Sequence, residues 1–208
     1  MISRDFDNLF PTPVGTVSNT DVKFCDKFAN LILDTMTLQD KEILASSLEW
    51  CTDDNLHTNK NFTELVNYIE QESAIFFNNV LGINKDDVKL SSMWSNVRKS
   101  NSKHHIHVHA NSFFSGVIYL KAPKNAGDII FSDPRAGASM FFADSKQGKP
   151  LSYRAWRYPP STGLLLFFPS WLPHGTDSGN FDNDLRISLS FNYSLIRASN
   201  TTMSIDLN

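Results

Sequence analysis

Residues 102–120 read SKHHIHVHANSFFSGVIYL, and four of the chain's six histidines (His104, His105, His107 and His109) crowd its first eight positions. An apolar run from Phe113 to Leu120 follows at once, rich in the β-branched and aromatic residues of a buried strand. In an extended segment alternate side chains share a face, so His105, His107 and His109 point the same way and any i/i+2 pair can reach one ion. Imidazole suits iron, zinc, copper and nickel. A pair of histidines still needs a third donor from a distant strand. His174, in FPSWLPHGT (168–176), is the one other histidine near the end of an apolar strand, because His57 is isolated. Taken alone, the cluster reads equally well as a solvated polar loop.

The rest of the chain after residue 85 repeats the strand signal. Short apolar or alternating runs, VKLSSMWSNVRK (88–99), GDIIFSD (127–133), SYRAWRYPP (152–160), STGLLLFFPS (161–170) and LRISLSFNYSLI (185–196), are divided by Gly, Pro, Asn and Asp turns. Alternation is clearest in RISLSFNY. Ile187, Leu189 and Phe191 face one way, while Arg186, Ser188, Ser190 and Asn192 face the other and are placed to line a pocket.

Before residue 85 the apolar spacing is helical. Phe24, Phe28, Leu31 and Ile32 form one stripe, with Thr20 or Asp21 as the cap. Phe62, Leu65, Val66, Ile69, Ile75, Phe76 and Val80 form a second stripe, closed by Gly82. TLQDKEILASSL (37–48) reads as a shorter helix, and LFPTPVGTV (9–17) as an extended lead-in shaped by its prolines. The simplest architecture is one domain over 1–208: an extended segment and supporting helices in 1–84, and a mainly β jelly roll in 85–208.

Bulk properties narrow the function. Sixteen Phe and four Trp supply a substantial core, and a net charge of −3 argues against a general nucleic-acid binder. No apolar stretch approaches a membrane span, and the first residues lack a signal-peptide core. Cys25 and Cys51 read as free, buried thiols of a cytoplasmic protein. The sequons at Asn61, Asn192 and Asn200 are chance products of a Ser/Thr/Asn-rich chain.

Twelve residues after His174 comes Arg186, with Ser188 two further on. A guanidinium on a strand, with a hydroxyl beside it, is built to grip a carboxylate. Taken singly, Arg186 is better explained by a surface ion pair with Asp182 or Asp184. His-x-His, a distal His and then Arg-x-Ser together make a metal-plus-carboxylate design.

HVHANSFFSGVIYL, GDIIFSDPR, STGLLLFFPSWLPHGT and LRISLSFNY resemble the 2-oxoglutarate/Fe(II)-dependent oxygenases of the prolyl-hydroxylase-like group found in bacteria and phages. The resemblance runs from about Trp94 to Tyr193, with a weaker echo in LFPTPV. It implies a double-stranded β-helix, a jelly-roll or cupin-like barrel with N-terminal helices. The family's metal motif is HxD/E with a distal His. Matched residue by residue, His107, His109 and His174 become catalytic ligands of Fe(II). Arg186 and Ser188 become contacts to the far carboxylate of 2-oxoglutarate, and Tyr119 a further contact. Asn192 is expected in the same pocket. The implied reaction takes O2 and 2-oxoglutarate, releases succinate and CO2, and oxidises a small-molecule or peptidyl substrate. No nucleic acid or membrane is implied, and a homodimer is possible.

Position 109 departs from the pattern, because it holds His where the family places Asp or Glu. The pair His105/His107 is an alternative register, and Asp177 and Asp133 are candidate carboxylates. A three-His dioxygenase that does not use 2-oxoglutarate, or a non-catalytic metal- or ligand-binding jelly roll, would also accommodate His109. Arg135, Trp94, Asn96 and the Phe-rich SMFFAD (139–144) are further candidates for contact with substrate, although an ion pair for Arg135 and core packing for Trp94 are the plainer readings.

Overall fold

The structure, a computed structural model, describes residues 10–135, 154–181 and 184–196. Its axis is strand β10 (Arg186–Leu195), whose alternation divides the molecule. Ile187, Leu189, Phe191 and Tyr193 are buried in a core shared with the helices. Arg186, Ser188, Ser190 and Asn192 line a cavity on the opposite face.

Two antiparallel sheets enclose that cavity. The larger has the order β1 (Gly15–Val17), β8 (Leu165–Pro169), β5 (Phe114–Lys121), β10, β3 (Val88–Arg98) and β2 (Glu49–Cys51). The smaller has the order β4 (His104–His107), β9 (His174–Thr176), β6 (Ile129–Ser132) and β7 (Ala155–Tyr158). Between them lies a second apolar core of Val117, Tyr119, Ile129, Phe131, Leu166 and Phe168. This is the mainly β fold with N-terminal helices that the strand pattern predicts. The lead-in and the helical region also supply β1 and β2, three residues each, which are too short to show a period in sequence.

The helices close the outer face of the larger sheet. Helix α1 (Val22–Thr35) is capped by Asp21, whose side chain accepts from the Lys23 amide, which settles the choice between Thr20 and Asp21. Helix α2 (Leu38–Ser46) starts in a reciprocal capping box between Thr37 and Asp40. Helix α3 (Thr63–Phe76) runs into a π-helical turn over Phe77–Leu81 and stops at Gly82, whose φ of 64° suits a residue without a Cβ. The predicted stripe is corrected at two positions. Ile75 is exposed because it lies off the 3.6-residue repeat through Ile69, Ser73 and Phe76; Phe77 continues that buried face, and Val80, within the wide turn, stands exposed.

Phe28, Phe62, Phe77, Phe167 and Phe191 are each at most 1% exposed, and truncating such a ring costs about 3–5 kcal/mol. Gly116 is part of the same packing. It pairs with Phe191 across β5 and β10, and a Cβ there would lie 2.2 Å from the Phe191 ring. The ring lies flush on the strand only because position 116 has no side chain. Among the described residues, no helix is long and apolar enough to cross a membrane.

Candidate active site

The histidine run is itself a strand. β4 pairs with β9, placing His107 opposite His174, and a register shift lies between His104 and His107. The chain then turns, and the His109 amide donates to the Ser170 carbonyl at 2.9 Å. The result brings His107, His109 and His174 together, with one nitrogen from each within 4.8 Å of the others.

Each of these imidazoles is anchored through Nδ1. His107 Nδ1 lies 2.9 Å from the His105 carbonyl oxygen, and His174 Nδ1 lies 2.8 Å from that of Leu172. A carbonyl only accepts, so each Nδ1 carries the proton and donates. His109 Nδ1 lies 2.6 Å from Asn192 Oδ1 and 2.9 Å from Ser115 Oγ. The Asn192 amide nitrogen donates to Ser92 Oγ, which turns its oxygen toward His109. All three Nε2 atoms are therefore bare lone pairs. Those of His107 and His109 face each other across 3.2 Å, an arrangement that repels unless a proton or a cation lies between. Adjacent ligands about 2.1 Å from one metal ion stand about 3 Å apart, so the donor set fits a divalent ion of the first transition row. Burial pushes His174 down to about 3, its hydrogen bond to Leu172 opposing and the neighbouring imidazoles adding. Burial also lowers His109, against the Asn192 hydrogen bond. Both rings are neutral at pH 7, as ligands must be.

The cavity beyond these imidazoles has a volume of about 430 Å³, within the range of small-ligand sites. Its floor is a grid of paired residues on the larger sheet. Across β3 and β10 the pairs are Trp94 with Ser190, Asn96 with Ser188, and Arg98 with Arg186; Tyr119 of β5 pairs with Ser188. Among the described residues none that lines the cavity is acidic.

Arg186 is 3% exposed. Its Nη1 donates to the carbonyls of Ala126 and Gly127 at 3.0 and 3.3 Å, and its guanidinium carbon lies 5.3 Å from the Tyr119 ring centroid. Among the described residues no carboxylate pairs with it: Asp184 pairs with Lys121, and Asp182 lies outside the described residues. Arg186 Nε and the fully buried Tyr119 hydroxyl have no hydrogen-bond partner. Unmet buried donors of this kind mark a place for an anionic ligand.

The sequence-predicted residues thus divide. His107, His109 and His174 meet at one end of the cavity; Arg186, Ser188 and Tyr119 line it. Asn192, expected among the co-substrate contacts, has both ends of its amide engaged by His109, Ser115 and Ser92, and it stands behind an imidazole. His105 contributes its carbonyl and no ring nitrogen to the cluster. Asp177 pairs with Arg157 and Asp133 with Arg135, so neither carboxylate joins the imidazoles. SMFFAD lies outside the described residues.

Sequence reasoning missed Ser115, which bonds His109, Asn192 and Ser170 together. It missed Arg98 and Thr176, whose side chains meet at 2.9 Å. It also missed His104, which is exposed yet lines the cavity, its Nδ1 3.0 Å from Arg98 Nη2. Burial and then Arg98 push His104 down to about 4. The period-two series Trp94, Asn96, Arg98 carried the signal for Arg98.

Fold and site together make a jelly roll with three imidazoles placed to hold a metal ion. The family model described as "Putative 2OG-Fe(II) oxygenase" matches residues 92–192, a span holding every imidazole and guanidinium of the cavity. This β-rich part of the chain resembles the 2-oxoglutarate/Fe(II)-dependent oxygenases, a family whose defining cofactor and co-substrates are Fe(II), 2-oxoglutarate and O2.

Solved structures agree on the fold. HygX from Streptomyces hygroscopicus, with nickel and 2-oxoglutarate bound, is 12% identical with a TM-score of 0.59, over 88% of this chain and 82% of that one. The viral collagen prolyl hydroxylase vCPH from Paramecium Bursaria Chlorella virus-1, a 2-oxoglutarate complex, is 12% identical with a TM-score of 0.58, over 88% and 96%. A Pseudomonas putida prolyl-4-hydroxylase is 12% identical with a TM-score of 0.55, over 89% and 94%. The shared architecture is the double-stranded β-helix. No curated protein sequence matches the chain.

Proposed function

We infer that the protein is an Fe(II)- and 2-oxoglutarate-dependent dioxygenase that hydroxylates a small-molecule or peptidyl substrate and releases succinate and CO2. His107, His109 and His174 hold the metal, and Arg186, Ser188 and Tyr119 hold the co-substrate. The observation that carries this reading is the pairing of three converging Nε2 lone pairs at one end of the cavity with a buried guanidinium lacking a carboxylate at the other. A molecule that chelates a metal at one end and is a carboxylate at the other spans the two.

When bound, iron supplies the redox chemistry, coupling O2 activation to oxidative decarboxylation of 2-oxoglutarate. The chain's own residues bind, orient and exclude water. The carbonyls of His105 and Leu172 and the amide oxygen of Asn192 fix each imidazole in its Nε2-facing tautomer, the support that such ligands need. Arg186 offers its fork to the far carboxylate, Ser188 a hydroxyl, and Tyr119 its free O–H. Val117, Ile129 and Phe168 form a dry wall that strengthens those contacts. Trp94, its ring 5.8 Å from that of His109, bounds the space left for the primary substrate. Three neutral ligands leave the ion one charge more positive than a set with a carboxylate, which favours anionic chelators.

The test is anaerobic titration of the Fe(II)-loaded protein with 2-oxoglutarate, followed by succinate measurement in air. A visible absorption band that saturates, and succinate formation that needs both additions, are the expected results. O2 uptake indifferent to 2-oxoglutarate would instead favour the three-His dioxygenase reading, which has no use for Arg186. Metal binding without O2 uptake would favour a non-catalytic module. A cytoplasmic location is supported by the free thiols of Cys25 and Cys51.

A further inference from the structure

Glu49, Arg98 and Arg186 are consecutive members of one cross-strand row. β2 pairs Glu49 with Arg98, and β10 pairs Arg98 with Arg186. Residues paired in this way stand side by side on one face of a sheet, and like charges so placed repel. Both arginines are buried, at 5% and 3% exposure, and both line the cavity. The row holds two guanidiniums and one carboxylate, and that carboxylate lies at the Arg98 end, 3.2 Å from its Nε. Burial lowers the pKa of Arg186; Tyr119 opposes this and the neighbouring Arg98 adds to it.

Arg98 is held where it stands. The Glu49 carboxylate forms an ion pair on its Nε side, although that Nε makes no hydrogen bond; Thr176 Oγ1 accepts from Nη1 at 2.9 Å, and His104 Nδ1 lies 3.0 Å from Nη2. The last two contacts reach across to β9 and β4, the strands that carry His174 and His107. Each Nη of a guanidinium has two hydrogens, so Arg98 keeps a second hydrogen on each for a ligand. Tyr119 feels the charge of both arginines. A buried pair of like charges fixed from both sheets is suited to hold an anion between them.

We propose that Arg98 is a second binding residue for the far carboxylate of 2-oxoglutarate, forming with Arg186 a two-guanidinium cradle that selects dicarboxylate over monocarboxylate 2-oxo acids. The inference rests on 2-oxoglutarate being the co-substrate. An anion set between the two cations turns their repulsion into attraction on both sides. Glu49 keeps the row from being wholly uncompensated while the cavity is empty of ligand. The cradle also makes the affinity depend on charge at the far end of the ligand, beyond what a single arginine provides.

The test compares 2-oxoglutarate with 2-oxopentanoate, which has the same chain length and the same chelating end but no far carboxylate. Both are titrated anaerobically into Fe(II)-loaded protein, and the visible band gives each dissociation constant. The wild type is expected to prefer 2-oxoglutarate, and Arg98→Met to lower that preference by about tenfold or more, the worth of a charge-assisted hydrogen bond. Arg98→Lys keeps the charge and loses the fork, so it should fall between them, and it serves if the methionine variant does not fold. If Arg98→Met weakens both ligands equally, or neither, the cradle is wrong and the co-substrate reading survives. If the wild type shows no band with 2-oxoglutarate, the co-substrate reading itself fails.

Discussion

His109 and Asn192 are joined by a 2.6 Å hydrogen bond from Nδ1 to Oδ1, which ties an imidazole at the head of one loop to the central strand of the larger sheet. Asn192 is fixed in turn, donating to Ser92 and accepting from Ser115. Removing the acceptor frees the His109 ring to rotate and to change tautomer. Asn192→Leu is therefore expected to weaken Fe(II) or Ni(II) binding about 10–100-fold. Asn192→Asp keeps an acceptor and should keep most of the affinity. Competition against a chromophoric chelator measures both.

The two possible registers of the histidine run differ in what His105 does. Its carbonyl anchors His107, and its ring is outside the three-imidazole group. His105→Ala keeps that carbonyl and should bind metal like the wild type, whereas His107→Ala and His174→Ala should not. Thermal unfolding shows the contrast. Metal at a hundredfold excess over its dissociation constant adds about 2.7 kcal/mol, which for a chain of this size raises the midpoint by about 5–10 °C. The wild type and His105→Ala should show that rise and lose it to a chelator. A rise in His107→Ala, or none in His105→Ala, would reverse the register.

Much of this was legible in the chain because periodicity reports faces. The alternation in RISLSFNY separates Ile187, Leu189 and Phe191, which pack on the helices, from Arg186, Ser188, Ser190 and Asn192, which line the cavity. His107, His109 and His174 were readable as a set because few other imidazoles existed. What stayed hidden depends on pairings between distant strands. Arg98 ends an obvious strand, but only the register of β3 against β10 sets it beside Arg186. Glu49 joins that row through a three-residue strand with too few positions to show a pattern. His104 is exposed, and only the β4–β9 pairing shows that its ring reaches Arg98. Ser115 is one small polar residue in an apolar run, and its role appears only when His109, Asn192 and Ser170 close around it.

Arg186 separates binding of the co-substrate from binding of the metal. Its guanidinium touches Ala126, Gly127 and the Tyr119 ring, and no imidazole of the metal group. Arg186→Met should weaken 2-oxoglutarate binding by about 10–100-fold, the loss of one charge-assisted pair, and leave Ni(II) affinity unchanged. Calorimetric titration of the Ni(II)-loaded variant with 2-oxoglutarate, set beside metal titration of the same protein, checks both halves. A fall in metal affinity of the same size would mean that Arg186 is structural.

The two thiols should report on occupancy of the cavity. Cys25 is fully buried on the inner face of α1, and burial pushes its thiol up to about 11, with Asp26 and Asp21 adding. A thiol that is both protonated and inaccessible is inert. Cys51, expected to be buried like Cys25, instead is exposed on the short edge strand β2 and lines the cavity, its Sγ 3.2 Å from Asn96 Oδ1. Its thiol is also raised, by desolvation and then by Glu49, with Arg98 opposing. Alkylation by iodoacetamide at mildly alkaline pH should therefore modify Cys51 and spare Cys25, as peptide mass mapping would show. Because Asn96 pairs with Ser188, a ligand held along that row crowds the approach to Cys51. Ni(II) with 2-oxoglutarate should slow its modification several-fold, while Ni(II) with 2-oxopentanoate, which leaves the arginine end unfilled, should slow it less. Equal rates with and without ligand would mean that the co-substrate lies elsewhere in the cavity, away from the Asn96–Ser188 row.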